Sequence, residues 1–247
     1  MRRERKVTGE NACWAVLERR PEDALRCFVL EERVADFRPL MKLLAERRLP
    51  YHVVEREQLD RVAGGTHHEG ICLLALERPS RTREELCREA ASRRGPLCTL
   101  YLDGVQNPHN LGAIVRSAAH FGALAVLVPA RGVAELGPAG ARVAEGGAEY
   151  VPLVALDDPP RDIAALAREG FALVGTDSEA RDSLHDVVLP PRVILALGAE
   201  REGLSPALRD RCDLVVRIPG TGDVQSLNVS AAAAVLLSEH HRQHARR

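Results

Sequence analysis

Three short polar segments, all after residue 104, carry side chains of the types that enzyme active sites use. Each follows directly after an apolar run: "VQNPHNLGAIVRSAAHFGA" follows "LYLDG", "AEREGLS" follows "VILALG", and "TGDVQSLNVS" follows "LVVRIPG". Together they offer amide, carboxylate, guanidinium and hydroxyl groups, which can orient a polar substrate and transfer a proton. One such segment alone is a weak signal, so the three are interpreted together below.

The first segment contains an arginine in an unusual setting. Asn110 is predicted to cap a helix that begins near it, because an asparagine side chain accepts hydrogen bonds from first-turn amides. Arg116 follows six residues later, between "AIV" and "SAA". A charge among apolar and small residues is costly unless it has a partner or a purpose. The alternative is an arginine whose head reaches solvent, and this segment alone favours that alternative.

The second segment places a carboxylate at the end of a predicted buried strand. Glu200 lies between Gly198 and Gly203, and glycine permits a positive φ or a close approach of the backbone to a ligand. The "SP" pair that follows is predicted to cap and begin a short helix. The needs of the backbone therefore account for the two glycines. They do not account for the carboxylate of Glu200, which needs a partner such as Asn110 or Arg116.

The third segment leads into an alanine-rich helix. Ser226 is predicted to cap this helix, which would begin near Leu227 and leave Asn228 and Ser230 in the first turn. Asparagine is a poor helix former, so its side chain there should have another role. The run "AAAAVLL" permits close packing, either against a second chain or within the domain.

The apolar runs of this part of the chain predict how the segments are positioned. Runs such as "LCTLYLDG", "ALAVLVP", "EYVPLV", "FALVG", "RVILALG" and "DLVVRIPG" have helical patterns between most of them. Strands that alternate with helices predict an α/β domain with a mostly parallel sheet and helices on both faces. Ligands bind such sheets beyond the carboxyl ends of the strands, where the three polar segments lie.

The first eighty residues predict a separate, smaller α/β domain. Helical patterns at "NACWAVLERR" and "ADFRPLMKLLAERR" alternate with strand patterns at "LRCFVL", "YHVV" and "ICLLAL". A charged stretch follows that has few large apolar residues and is partly helical. We therefore predict a small domain at 1–78, a linker at 79–96 and a second domain at 97–247.

Composition narrows the class of protein. Residues 1–94 hold 20 Lys and Arg against 17 Asp and Glu, so the basic excess lies in the first third although the whole chain carries a net charge of -1. The six cysteines show no zinc spacing, and the histidines at 240, 241 and 244 are expected on a solvated helix face. This spacing gives no reason to expect a metal. Because the chain has no long apolar run and begins with charged residues, we expect a soluble cytoplasmic protein without a membrane segment.

With all three segments in view, residues 97–245 resemble the SpoU-type (TrmH-like) RNA ribose methyltransferases of the SPOUT class. The residues that match the family's three motifs, in order, are Asn110, Gly112 and Arg116; Gly198, Glu200, Gly203, Leu204 and Ser205; and Ile218, Pro219, Ser226, Leu227, Asn228, Val229 and Ser230. The first domain resembles the ribosomal-protein-like RNA-binding domain of many relatives, where "HHEGI" matches a loop and the final strand.

The resemblance implies a deep trefoil knot, a homodimer, and S-adenosylmethionine as cofactor. The implied reaction moves the sulfonium methyl to a ribose 2′-hydroxyl of tRNA or rRNA, with no metal. Residues implied at the cofactor are Leu197, Gly198, Gly203, Ile218 and Leu227. Arg116 is implied at the reacting hydroxyl, and the other implied site residues are Asn110, Glu200, Ser226 and Asn228.

Three alternatives stay open. The same fold without turnover would be an RNA-binding or ribosome-assembly protein, although the joint presence of Asn110, Arg116, Glu200 and Asn228 argues against it. A base N-methyltransferase of the same knotted class would share the fold but not the ribose chemistry. A dinucleotide-dependent enzyme would need G-x-G-x-x-G after the first buried strand, which "DGVQNPHNLG" does not supply.

Overall fold

The computed structural model describes residues 2–131, 136–200 and 202–244. These residues form two compact units. The first comprises the described residues up to Pro79 together with Glu145–Tyr150, and the second comprises the described residues of Ser80–Ala144 and Val151–Arg247.

The first unit is a four-stranded sheet with helices on both faces. Its elements are β1 (Glu4–Thr8), α1 (Glu10–Arg19), β2 (Ala24–Leu30), α2 (Arg38–Glu46), β3 (Tyr51–Val54), α3 (Arg56–Ala63) and β4 (Ile71–Leu76). The strand order is β1-β4-β2-β3, with β4 antiparallel to both its neighbours and β2 parallel to β3. Helices α1 and α2 pack on one face, and the short helix α3 packs on the other.

A buried histidine fixes the loop before β4. The His68 ring is 1% exposed; its Nε2 lies 2.7 Å from Asp60 Oδ1, and its Nδ1 accepts a hydrogen bond from the Gly70 amide at 3.0 Å. Because Nδ1 accepts, the proton of the neutral ring is on Nε2 and points at the carboxylate. The "HHEGI" segment is therefore locked to the end of α3.

The second unit is built on a parallel sheet of seven strands. The elements from residue 80 onward are α4 (Arg83–Ser92), β5 (Leu97–Asp103), α5 (Pro108–His120), β6 (Val126–Pro129), α6 (Gly137–Ala144), α7 (Gly147–Tyr150, which belongs to the first unit), β7 (Leu153–Leu156), α8 (Pro159–Arg168), β8 (Ala172–Thr176), β9 (Asp182–Ser183), β10 (Arg192–Gly198), α9 (Pro206–Arg209), β11 (Leu214–Arg217) and α10 (Val229–His244). The strand order is β7-β6-β5-β10-β8-β11-β9, and every neighbouring pair is parallel. The predicted fold class, a parallel sheet flanked by helices beside a small α/β domain, is confirmed.

Two local predictions need correction. The run "EYVPLV" is not one strand: a short helix ends at Tyr150 and the strand begins at Leu153, because Pro152 has no amide to give a strand ladder. The predicted linker contains α4, whose Leu86 and Ala90 lie four residues apart and are fully buried in the core of the second unit. Helix α4 begins with a reciprocal cap between Thr82 and Glu85.

The last turns of α10 bind the segment that precedes β10. Gln243 donates to the Val187 carbonyl at 3.1 Å and accepts from the Leu189 amide at 2.8 Å. His240 and His244 bond the carbonyls of Pro191 and Leu189 at 3.2 and 2.8 Å. The predicted solvated face is wrong for His240, which is buried, because this face of the helix end packs against that segment. Within the described ranges no group of residues could hold a metal ion.

This arrangement makes stability depend on pH. Burial, followed by the nearby His244, lowers the pKa of His240 below its ordinary value. The unfolded chain therefore binds more protons as the pH falls, and the free energy of unfolding should decrease below about pH 6.5. His240→Gln can still donate to Pro191 but does not titrate, so its melting temperature should fall less on acidification. The control is His67→Gln at an exposed position; an equal pH dependence in both variants would contradict this role.

Candidate active site

The first two polar segments meet because the strands that carry them are neighbours. Strands β5 and β10 pair over seven residues, and the last pair in register joins Asp103 to Gly198. Their loops therefore leave the same edge of the sheet side by side. Burial raises the pKa of Tyr101, two residues before the end of β5, to about 12, so this phenol stays neutral beneath the site.

The loop after β5 enters α5 with a different cap from the one predicted. Asn107 is the cap, and its side chain accepts from the His109 amide at 2.9 Å, while Pro108 occupies the first helical position. The prediction that Asn110 caps this helix is wrong, because the helix starts earlier, at the proline. Asn110 lies half-buried in the first turn, which leaves its amide available for other contacts.

One residue from each polar segment joins a single hydrogen-bonded cluster, here called the Asn–Glu–Asn cluster. Glu200 Oε1 accepts from Asn110 Nδ2 at 2.8 Å and from Asn228 Nδ2 at 2.9 Å. Asn228 Nδ2 also lies 3.1 Å from Asn110 Oδ1. A carboxylate can only accept, so Glu200 fixes which way both asparagine amides face. The expectation that Glu200 has Asn110 as a partner agrees with this geometry.

Asn228 has a second role at the start of α10. Its Oδ1 accepts from the Ser230 amide at 2.8 Å and from the Ser230 hydroxyl at 2.6 Å. The predicted cap at Ser226 is wrong, because α10 begins two residues later than expected, at Val229. Ser226 and Leu227 are exposed in the loop before the helix. Asn228 thus uses its oxygen for the helix and its nitrogen for the cluster.

The loop after β10 folds back onto the strand so closely that only glycine fits. A Cβ placed on Gly198 would lie 1.9 Å from the carbonyl carbon of Gly203. Gly203 has φ +68° and donates its amide to the Ala199 carbonyl at 2.9 Å. The Ser205 amide donates to Asp103 Oδ2 at 2.7 Å, which joins this loop to β5. Ser205 occupies the predicted cap position of α9 but makes no side-chain cap bond.

An open cleft borders the Asn–Glu–Asn cluster. The residues that line it are Gly104, Val105, Gln106, Asn107, Asn110, Ala199, Glu200, Glu202 and Val229. Sequence reasoning did not single out Gln106 or Asn107; the "QN" pair directly after a buried strand was the available signal. The two predicted site residues among the lining are Asn110 and Glu200.

The remaining predicted site residues lie around this edge without lining the cleft. Leu197 is 1% exposed, so its side chain belongs to the core. Ile218 is half-buried and Leu227 is 51% exposed, on the loop between β11 and α10. Arg116 is exposed on α5. At about 100° per residue, its side chain leaves the helix about 120° around the axis from that of Asn110.

Two family models match the chain over most of its length. The SpoU rRNA Methylase family matches residues 98–238, which include all three polar segments. A model described as RNA 2′-O ribose methyltransferase substrate binding matches residues 6–80.

Similar proteins match both units together. A protein of Escherichia coli O157:H7 named uncharacterized tRNA/rRNA methyltransferase YfiF is 39% identical, over 97% of this chain and 68% of its own length. The 23S rRNA (guanosine-2′-O-)-methyltransferase RlmB of Escherichia coli strain K12 is 39% identical, over 96% of this chain and 98% of its own. The fold is similar to the crystal structure of the SpoU methyltransferase AviRb from Streptomyces viridochromogenes with AdoMet, at a TM-score of 0.76 and 24% identity, covering 97% of this chain and 90% of AviRb.

Proposed function

Because the chain belongs to the SpoU rRNA methylase family, we propose that the Asn–Glu–Asn cluster and the cleft beside it form its methyl-transfer site. The protein is an S-adenosylmethionine-dependent RNA 2′-O-ribose methyltransferase. The observation that supports this site best is that Asn110, Glu200 and Asn228, one from each of three distant polar segments, share a single carboxylate oxygen.

The loops beside the cluster suit the cofactor. Ile218 and Leu227 present apolar side chains, half-buried and 51% exposed, that an adenosine would cover. At Gly203 no atom lies within 4 Å of the position a Cβ would take, so the backbone there is open to a ligand. The same side of Gly198 is filled by the Gly203 backbone, so Gly198 serves the pocket by letting this loop pack against the end of β10. At Leu197, near the end of β10, the backbone rather than the buried side chain would contact the cofactor. When bound, S-adenosylmethionine supplies a methyl group that its positive sulfur has already activated for transfer.

We assign Arg116 to the reacting hydroxyl and its neighbouring phosphate. A ribose 2′-hydroxyl is a poor nucleophile, so the site must orient it and accept its proton as attack proceeds. Arginine stays protonated in proteins, and its planar fork suits a phosphate. Arg116 is exposed, so RNA can approach this position on α5. Orientation is therefore the role we give it, and the proton acceptor is the adjacent phosphate, a water or a transiently neutral Arg116.

We propose that the Asn–Glu–Asn cluster positions the loops of the site and takes no part in the bonds that form and break. Glu200 and Asn110 hold the first two loops together, and Asn228 adds the third. Ser226 is exposed two residues before Asn228, and we assign it to RNA contact.

Substrate and assembly are finer proposals. The match to RlmB over nearly all of both chains supports a guanosine of 23S rRNA as the target. We assign residues 1–78 to RNA binding and 97–247 to methyl transfer, in line with the two family models. The segment 79–96 joins them, and its helix α4 packs in the core of the second unit. We also propose a homodimer that works in the cytoplasm. No helix in the described ranges is long and apolar enough to span a membrane.

The substrate proposal has a direct test. Purified protein and methyl-labelled S-adenosylmethionine are incubated separately with unmodified 23S rRNA, 16S rRNA and bulk tRNA. We expect label in 23S rRNA alone. Label in tRNA, with 23S rRNA unlabelled, would contradict the proposed substrate while leaving the enzyme class intact.

Two variants of Asn228 separate its two roles. Asn228→Ser keeps an oxygen that caps α10 but is too short to reach Glu200, so stability should stay near that of the parent while methyl transfer falls at least tenfold. Asn228→Ala loses the cap as well, which should cost about 1 kcal/mol of unfolding free energy in addition. Thermal melts and initial methyl-transfer rates measure the two effects. Full activity of Asn228→Ser would show that the Asn–Glu–Asn cluster does not matter for transfer.

A further inference from the structure

An aromatic pair stands at the open edge of the sheet in the first unit. The rings of Phe28 on β2 and His52 on β3 are stacked, with centroids 5.1 Å apart and planes 22° from parallel. Strand β3 is the last in the order β1-β4-β2-β3. The ring face of His52 that points away from Phe28 is therefore directed past the edge of the sheet, and His52 is exposed.

The face that carries this pair is only partly covered. Phe28 packs against the apolar cluster beneath α3, a helix of eight residues, and it stays half-buried rather than buried. The opposite face is covered by two longer helices, α1 and α2. Around the pair, the α3 face of the sheet therefore stays open to a partner.

Two cations share this face with the rings. Arg26 lies two residues before Phe28 on β2, on the same side of the strand at a separation of about 7 Å. Lys6 on β1 and Arg26 both register with Leu74 of β4, so the two point to the same face. Both are exposed, and neither forms a hydrogen bond or an ion pair with any residue of the described ranges. Glu4 shares this face on β1, two residues from Lys6. Both lie at the opposite edge of the sheet from His52, so Arg26 on β2 is the cation nearer to the rings.

We propose that this patch binds single-stranded RNA, with one unpaired base stacked on the outer face of His52 and the following phosphates bound by Arg26 and Lys6. The proposal rests on the proposed function, which supplies RNA as the occupant. Aromatic faces bind unstacked bases of any sequence, and unpaired cations beside them bind the backbone. A base on His52 would extend the Phe28–His52 stack by one ring.

The test measures binding of a short fluorescein-labelled single-stranded RNA to the full chain by anisotropy. His52→Ala and Phe28→Leu should each weaken binding roughly tenfold, because each removes or disturbs the ring stack on which one base rests. Leucine at 28 keeps the apolar packing, and a thermal melt checks that both variants fold. The control is Tyr51→Ala, which removes an exposed ring from the other side of the same strand.

Salt dependence separates the rings from the cations. Arg26→Gln and Lys6→Gln should each flatten the slope of log affinity against log salt by about 0.7, whereas His52→Ala should leave the slope unchanged. Unchanged affinity in both ring variants, or an equal loss in Tyr51→Ala, would overturn the patch. If the ring variants weaken RNA binding but the parent transfers no methyl group to any RNA, the patch stands and the proposed function fails.

Discussion

Arg116→Ala is expected to lower the rate of methyl transfer by about 10²–10⁴-fold while leaving S-adenosylmethionine affinity unchanged. The expected size follows from the role: an arginine that orients the hydroxyl acts on the reacting atoms, and such groups contribute on this scale. Single-turnover rates at saturating RNA measure the loss, and calorimetric titration measures the cofactor affinity. Arg116→Lys should recover little, because an ammonium lacks the planar fork.

The matched control for Arg116 lies on the same helix. His120 is exposed one turn further along α5, and His120→Ala should keep nearly full activity. A fall in melting temperature and in cofactor affinity that parallels the lost activity in Arg116→Ala would make the arginine a structural residue and contradict the role proposed for it.

Gly198→Ala is expected to lower cofactor affinity more than tenfold and to destabilise the second unit. The added Cβ would lie 1.9 Å from the Gly203 carbonyl carbon, and the atoms it meets are backbone, so the chain at Gly203 and Leu204 must shift. Overpacking of this kind costs about 1–3 kcal/mol. Thermal melts measure the stability, and calorimetric titration well below the melting temperature measures the affinity.

Gly220→Ala is the control for the cofactor loops. No atom lies within 4 Å of a Cβ added at Gly220, and its φ is not positive, so the methyl group should be tolerated. Parental cofactor affinity in Gly198→Ala would contradict a pocket at the end of β10. An equal loss in both variants would show that the loops are merely sensitive to added bulk.

Apolar runs in the sequence predicted most strands of the two sheets but missed two strands that lack such a run. Strands β5 and β10 are buried on both faces, so their sequences are almost continuously apolar and easy to identify. Strand β1, "ERKVT", escaped because it is a mostly exposed edge strand. Helix α3 escaped because only Leu59 among its eight residues is buried. The two-residue strand β9 is too short to have a pattern.

The sequence predicted which residues form the Asn–Glu–Asn cluster region but not how they are hydrogen-bonded. Each of these residues lies in a polar segment that follows an apolar run, so the sequence predicts Asn110, Glu200 and Asn228 at one edge of the sheet. No local sequence pattern shows that both asparagine amides donate to the same oxygen of Glu200. The sequence analysis predicts the cap of α5 at Asn110, whereas Pro108 occupies the first helical position and makes Asn107 the cap. The trefoil knot stays a prediction from the family resemblance.

The most direct test of ribose methylation is the chemical identity of the product. Protein, methyl-labelled S-adenosylmethionine and unmodified rRNA are incubated, the RNA is digested to nucleosides, and the labelled nucleoside is identified. We predict that all label is in 2′-O-methylguanosine. Label on a base would contradict ribose chemistry at this site, and absence of label from a protein that binds the cofactor would contradict catalysis by this chain alone.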